Sequence, residues 1–362
     1  MYVSGFRLRG TRGLEEATWV AWMCMGEEGF KKLKKQKSLL HFIFFPKTIL
    51  LWQFLISLLA VSANVLSSSS GCPALELVPV DRFSLVVGIP TVPRHRLEPG
   101  EEHYLTQALA SLAREMDRST LVVVVANSFE PHPAFDRASQ LYSGDDRFAF
   151  CHQPVGNDLD KDWLSNEDEV PFRVFKQSRD VINAMTIVSR ASLQGQISHY
   201  LIAEDDFVAC AGSWTILRNA IPEADAKWTA NWSALRVSFG FNGLVLRTES
   251  VPSLIRYLTK HAARRPPDHL AVEYFAKETS EARAMLGAEA VFLVLRENLM
   301  EHIGKASSLR PRRDLSPYLA CGAVLGPPVL FHVEAYDDMA CKNQLVCAAG
   351  LDQRRAIDVD EL

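Results

Sequence analysis

Three consecutive carboxylates, Glu204, Asp205 and Asp206, stand directly behind an apolar run, Tyr200-Leu201-Ile202-Ala203. Adjacent carboxylates repel, and a divalent cation or solvent must offset that repulsion. Hard oxygen donors suit Mg²⁺ or Mn²⁺, which in turn bridge to phosphate oxygens. Such an ion offsets the charge that gathers on a departing nucleoside diphosphate, the main electrostatic obstacle in sugar transfer. A solvated turn has the same composition, so position decides between the two. Ligands of open α/β sheets bind beyond the carboxyl ends of strands, and the triplet falls at such an end. A second acidic stretch, residues 158–169, lies among polar residues and reads as a loop.

The elements around the triplet alternate. Residues 83–89 (FSLVVGI), closed by Pro90, read as a buried strand, and LVVVVA at 121–126 as a second. Residues 147–151 and 200–203 supply further short strands, and 291–295 a late one. Apolar residues at helical spacing predict helices over 102–116, 134–141 and 175–193. The alternation predicts an α/β fold with a mostly parallel sheet. No G-x-G-x-x-G follows the first strand, and no Walker A or G-x-S-x-G motif occurs, which excludes those dinucleotide, P-loop and hydrolase signatures. No period of repeats is present.

The chain has 362 residues, 48% apolar and 23% charged, which is a globular mixture with enough length for a substantial core. A net charge of −4 offers no global basic field for nucleic acid. Seven cysteines occur without a CxxC pair, which leaves zinc ribbons and thioredoxin motifs unsupported. Six of them follow residue 65 and allow up to three disulfides in an oxidising lumen, with the pairing open.

Residues 39–65 are mostly apolar with Lys47 the one charged residue, and a lysine-rich stretch, residues 31–37, precedes them. This pattern predicts a cytosolic tail (1–37), a membrane signal anchor (38–65) and a lumenal stem (66–80). A catalytic domain over 81–310 and an extension over 311–362 then follow. Cleavage of a signal peptide near Val61-Ser62-Ala63 is the competing reading, which the long basic lead disfavours. Either reading sends the bulk of the chain into the secretory pathway, where Asn231-Trp232-Ser233 is a glycosylation acceptor sequence. The final Val-Asp-Glu-Leu resembles an ER-retention signal, with valine where lysine or histidine is usual.

Five stretches together resemble one family. They are residues 88–94 (GIPTVPR), 176–180 (KQSRD), 200–206 (YLIAEDD), 239–243 (FGFNG) with 265–268 (RPPD), and 301–309 (EHIGKASSL). In order and rough spacing they are similar to the N-acetylglucosaminyltransferase IV family, the alpha-1,3-mannosyl-glycoprotein 4-beta-N-acetylglucosaminyltransferases, across residues 83–309. The resemblance implies a GT-A fold, a divalent cation with Mn²⁺ preferred over Mg²⁺, UDP-GlcNAc as donor and a glycoprotein N-glycan as acceptor. It implies a single-pass type II Golgi protein, with the ER as the alternative compartment. Two departures stand out. The residues after Leu309 are too few for the family's additional carbohydrate-binding-like domain, and Asn127-Ser128 replace a more acidic pattern. Transferases that add GalNAc to GPI anchors share the motifs and lack that domain, and a non-catalytic glycan-binding relative is the third reading.

Within this resemblance the roles distribute as follows. Thr91, Arg94, Lys176 and Gln177 would contact the donor, Arg94 through phosphate or uracil. Asp206 would ligate the metal, with Glu204 or Asp205 meeting the ribose or a metal-bound water. His302 would complete the metal or diphosphate site, and Lys305 would neutralise diphosphate charge. Inverting transfer needs a general base at the acceptor hydroxyl, for which Asp268 and Glu273 are the candidates. An aspartate ahead of an apolar helical run, like Asp268, also suits helix capping.

Overall fold

The computed structural model describes residues 72–76, 78, 82–94, 103–153, 170–194, 197–305, 319–326 and 330–350. The expected tail, anchor and terminal Val-Asp-Glu-Leu, most of the stem and the acidic stretch 158–169 lie outside these residues. Among the described residues no helix is long and apolar enough to cross a membrane.

A short helix α1 (Pro73–Glu76) precedes β1 (Leu85–Thr91), α2 (Tyr104–Glu115), β2 (Thr120–Ala126), α3 (Pro133–Leu141) and β3 (Phe148–His152). The long α4 (Phe172–Gln194) leads to β4 (His199–Ile202), β5 (Phe207–Ala209) and α5 (Ser213–Trp228). Next come β6 (Trp232–Arg236), β7 (Leu244–Arg247), α6 (Val251–His261), α7 (Pro267–Phe275) and α8 (Ser280–Leu286). The chain continues through β8 (Val291–Leu295), β9 (Met300–His302), α9 (Asp338–Cys341) and β10 (Val346–Ala348).

Eight strands form one sheet in the order β10-β8-β6-β7-β4-β1-β2-β3, and β5 pairs with β9 separately. The strands β3, β2, β1 and β4 are mutually parallel. Strands β7 and β10 run against their neighbours and the other six share one direction, so the sheet is mostly parallel, as expected, with two reversed strands. Alternate residues of β2 enter opposite cores. Leu121, Val123 and Val125 pack on the face covered by α4, α6 and α7. Val122, Val124 and Ala126 pack on the face covered by α2, α3 and α5. A strand covered on both faces reads as an unbroken apolar run, as β2 does.

The first strand extends to Thr91, past the expected stop at Pro90. β4 pairs with β1 only from Leu85 to Gly88, whereas β2 pairs with it through Thr91. Pro90 therefore lies beyond the end of β4, where a missing N–H is tolerated. This extension carries Thr91 to the rim of the sheet.

Three disulfides form: Cys72–Cys151, Cys210–Cys321 and Cys341–Cys347. The segment after residue 330 is also tied to the sheet by charge. Arg236 on β6 is 1% exposed, and its Nε donates to Glu334 Oε1 at 2.5 Å. Its Nη1 donates to the carbonyl oxygens of Ser238 and Gly240 at 3.3 and 2.9 Å. Arg236 thereby holds the turn between β6 and β7, where Gly243 has φ +73° and a Cβ would collide with Ser238. Removing one member of a buried ion pair strands the other charge. Glu334→Ala is expected to destabilise the fold by about 3–5 kcal/mol in urea titrations, and a loss below about 1 kcal/mol would show that Arg236 is solvated instead.

Candidate functional site

The order of the strands reverses at β1. Chain progress runs outward from β1 through β2 to β3, and then β4 enters on the opposite side of β1. Such a switch opens a crevice beyond the carboxyl ends of the two adjacent strands. Thr91 and Arg94 leave β1 on one side of it, and Glu204, Asp205 and Asp206 leave β4 on the other. A cavity of about 340 Å³ opens here, with Val92, Arg94, Tyr104, His132 and Asp205 in its wall.

The acidic triplet is not a solvated turn. Asp205 and Asp206 are 6% and 8% exposed. Thr91 Oγ1 donates to Asp205 Oδ2 at 2.6 Å, and Arg94 Nη2 donates to Asp205 Oδ1. The same Nη2 lies 3.0 Å from Asp206 Oδ2, and the Arg94 guanidinium sits over the Tyr104 ring at 5.1 Å. Burial works against the Arg94 charge, but Asp205 and Asp206 outweigh it and raise its pKa. Burial likewise opposes ionised Asp206, and Arg94 and His302 prevail to hold its pKa below the ordinary value. Glu204 goes the other way. Burial, then Asp206, Asp268 and Asp205, push it up to about 8. Its backbone N–H donates to Asn242 Oδ1 at 3.0 Å, which anchors the start of the triplet to the β6–β7 turn.

His302 is brought to Asp206 by the two-stranded sheet. β5 follows the triplet and pairs with β9, with Phe207 opposite His302. The Ile303 N–H donates to the Asp206 carbonyl oxygen at 2.9 Å. His302 Nε2 then lies 3.3 Å from Asp206 Oδ2, and the imidazole meets the Phe207 ring edge-on at 4.8 Å. Gly304 passes so close that a Cβ there would fall 2.8 Å from Asp206 Cγ. The Cys210–Cys321 disulfide lies just past β5, and the Cys210 N–H bonds to the Leu299 carbonyl oxygen at 3.0 Å, bracing both strands.

At 3.3 Å His302 and Asp206 contact each other directly and are close enough for one divalent ion to take both as ligands. Among the described residues no group of three or more His, Cys, Asp or Glu side chains is placed to hold an ion. A cation here would rest on Asp206, His302 and oxygens of a substrate.

The remaining candidates separate. Asp268 lies in the first turn of α7, whose N-cap is Pro266, so it does not cap the helix through its side chain. It is half-buried and close enough to Glu204 to raise that group's pKa. Lys305 has an exposed side chain, and its N–H bonds to Tyr104 Oη at 3.1 Å. Lys176 pairs with Asp180 one turn along α4 at 3.2 Å, and Gln177 is half-buried beside it. Asn231 is exposed in the turn just before β6, while the neighbouring Trp232 is buried and stacks on His199.

Glu273 departs from its expected role as a base. It is 2% exposed, and Arg264 Nη1 donates to its Oε2 at 2.7 Å. Arg264 Nη2 and Tyr257 Oη occupy Oε1, and Arg265 Nη1 lies 3.1 Å from Oε2. Both oxygens are committed to holding α6 against α7. His132, which the sequence reading passed over, enters instead. It caps α3 and its Nε2 lies 2.9 Å from Thr91 Oγ1. The readable cue was its place before Pro133, since proline favours the first helical position and marks the preceding residue as the cap.

No family model matches the chain, and no curated protein sequence does. Among solved structures, residues 1–349 of S. aureus TarS align at 13% identity over 48% of this chain and 48% of that one, with a TM-score of 0.28. A 4-diphosphocytidyl-2C-methyl-D-erythritol synthase aligns at 12% identity over 52% of this chain and 83% of that one, with a TM-score of 0.31. A second S. aureus TarS structure aligns at 13% identity over 56% and 33%, with a TM-score of 0.28. The chain spans about half the length of the first of these. Likeness this distant carries nothing about chemistry, which rests here on the site itself.

The Glu273 cluster gives a pH test. Burial raises its pKa, but the hydrogen bonds from Arg264 and Tyr257 outweigh burial and leave it lowered. A lowered pKa stabilises the fold fully above the unfolded value of 4.5, and that stabilisation is lost as pH falls through the folded value. The two arginines remain partly solvated, so Glu273→Gln is expected to cost about 1.5–3 kcal/mol at pH 7. Denaturant titrations should show this difference shrinking below the ordinary carboxylate range. A difference that grew on acidification would refute the assignment.

Proposed function

We propose that this chain is a metal-dependent, inverting glycosyltransferase of the GT-A type that uses a nucleotide-sugar donor. The observation that carries the reading is the pairing of Asp206 with His302 at the carboxyl end of β4, 3.3 Å between Oδ2 and Nε2. Arg94 and Asp205, the latter held by Thr91, line the adjoining ligand-sized cavity. The motif resemblance supports UDP-GlcNAc as donor and a mannose of an N-glycan as acceptor, giving a beta-1,4 branch. The three disulfides favour an oxidising compartment, in keeping with a Golgi lumenal domain behind a membrane anchor.

The residues divide the work by chemistry. Asp206 and His302 would hold the divalent cation, Mn²⁺ by preference, which when bound would supply positive charge beside the leaving diphosphate. Arg94 meets the donor's phosphates from the opposite wall, and Asp205, fixed by Thr91 and Arg94, orients the ribose. Lys305, exposed past Gly304, adds positive charge towards the diphosphate. Asp268 accepts the proton of the acceptor hydroxyl on its carboxylate. The acceptor oxygen then bonds to the anomeric carbon from the face opposite the diphosphate. The C–O bond to UDP breaks, the nucleotide carries away the electron pair, and the configuration inverts.

The purified protein is expected to turn over UDP-GlcNAc, and not UDP-GalNAc, when Mn²⁺ is supplied, and Asp206→Ala should abolish that turnover. Binding of neither donor by folded protein would overturn the enzymatic reading, and preference for UDP-GalNAc would move the acceptor to a GPI glycan. Gly304→Ala places a methyl group against the Asp206 carboxylate. Turnover is expected to fall about 100-fold with little change in Tm, and an unaffected rate would show that Asp206 need not stay in place.

A further inference from the structure

We infer that His132 is a positioning residue for the donor site, acting on Asp205 through the hydroxyl of Thr91. The inference rests on the reading that Asp205 belongs to the donor site. His132 lies on the connection after β2, away from every stretch that carries the family resemblance, and its side chain reaches two elements at once.

The hydrogen-bond directions are fixed at one end. The Phe135 N–H donates to His132 Nδ1 at 3.4 Å, so Nδ1 is the acceptor nitrogen. In a neutral imidazole the proton then sits on Nε2. Nε2–H faces Thr91 Oγ1 at 2.9 Å and donates to it. The Thr91 hydroxyl, with its oxygen so occupied, directs its own proton to Asp205 Oδ2 at 2.6 Å. The chain runs one way: α3 backbone, His132, Thr91, Asp205. All three side chains are buried, with His132 at 6%, Thr91 at 2% and Asp205 at 6% exposure. A hydroxyl in such a place has few other partners, and the direction of its proton is set by its donor. Without Nε2–H the Thr91 hydroxyl is free to rotate away, and Asp205 would be held by Arg94 alone.

The two nitrogens can be replaced separately. In His132→Asn the amide oxygen takes the place of Nδ1 and keeps the cap, but nothing reaches Thr91. In His132→Gln the longer amide reaches Thr91 with an N–H donor and gives up the cap. Calorimetric titration of full-length protein with UDP in the presence of Mn²⁺ should show at least fivefold weaker binding by His132→Asn than by His132→Gln. Thermal melting should rank them the other way, with His132→Gln lower by about 2–4 °C. Thr91→Val should weaken UDP binding as His132→Asn does, and the double variant should be no weaker than Thr91→Val alone. Equal binding by the two histidine variants, or additive losses in the double variant, would overturn the inference.

Failure of the donor reading is separable from failure of this inference. If wild-type protein binds no UDP with Mn²⁺, the donor site falls. The tautomer is still read by ¹⁵N chemical shifts of the His132 ring. Protonated Nε2, with a shift that changes in Thr91→Val, is the expected result. Protonated Nδ1 would overturn the inference whatever the protein binds.

Discussion

Two neighbouring carboxylates, Asp205 and Asp206, are held almost out of solvent at the end of an apolar strand. Their mutual repulsion would be large in so dry a place, and ionised carboxylates are costly to bury without partners. Arg94 answers this directly by setting one guanidinium nitrogen against both. Thr91 adds a hydrogen bond to the first, and His302 faces the second. Glu204, with less compensation, is left with a raised pKa. A site that gathers negative charge and only partly offsets it is the reason a cation is proposed here.

The architecture serves that arrangement. The switch in strand order at β1 puts Thr91 and Arg94 across a crevice from the triplet. Extension of β1 past Pro90 raises Thr91 to the level of Asp205. On the other side, pairing of β5 with β9 converts a separation of many residues into contact between Asp206 and His302. Gly304 is needed because no side chain fits against the Asp206 carboxylate. The Cys210–Cys321 bond and the buried Arg236–Glu334 pair brace the segments on which this small sheet and the β6–β7 turn depend.

Much of this was legible from local pattern. Strands buried on both faces announced themselves as apolar runs, and the triplet's place behind one of them pointed to the site. Thr91, Arg94 and Asp206 stood out by type and position and His302 through the family resemblance, and the structure brings all four together. What could not be read was pairing across distance. Nothing local shows that β7 and β10 run antiparallel, or that Glu334 meets Arg236. Glu273 was, with Asp268, a candidate for the base that inverting transfer requires. Only the fold shows Arg264, Arg265 and Tyr257 closing around it. Asp268 suited a helix cap by sequence, yet α7 begins one residue earlier, at Pro267, and leaves that carboxylate available.

Asp206 and His302 are proposed to share one cation at the carboxyl end of β4. Anomalous diffraction from crystals grown with UDP and Mn²⁺ tests it most directly. The expected result is a single manganese peak within bonding distance of Asp206 Oδ2 and His302 Nε2. A diphosphate bound by Arg94 with no manganese between it and Asp206, or a peak bound elsewhere, would contradict it.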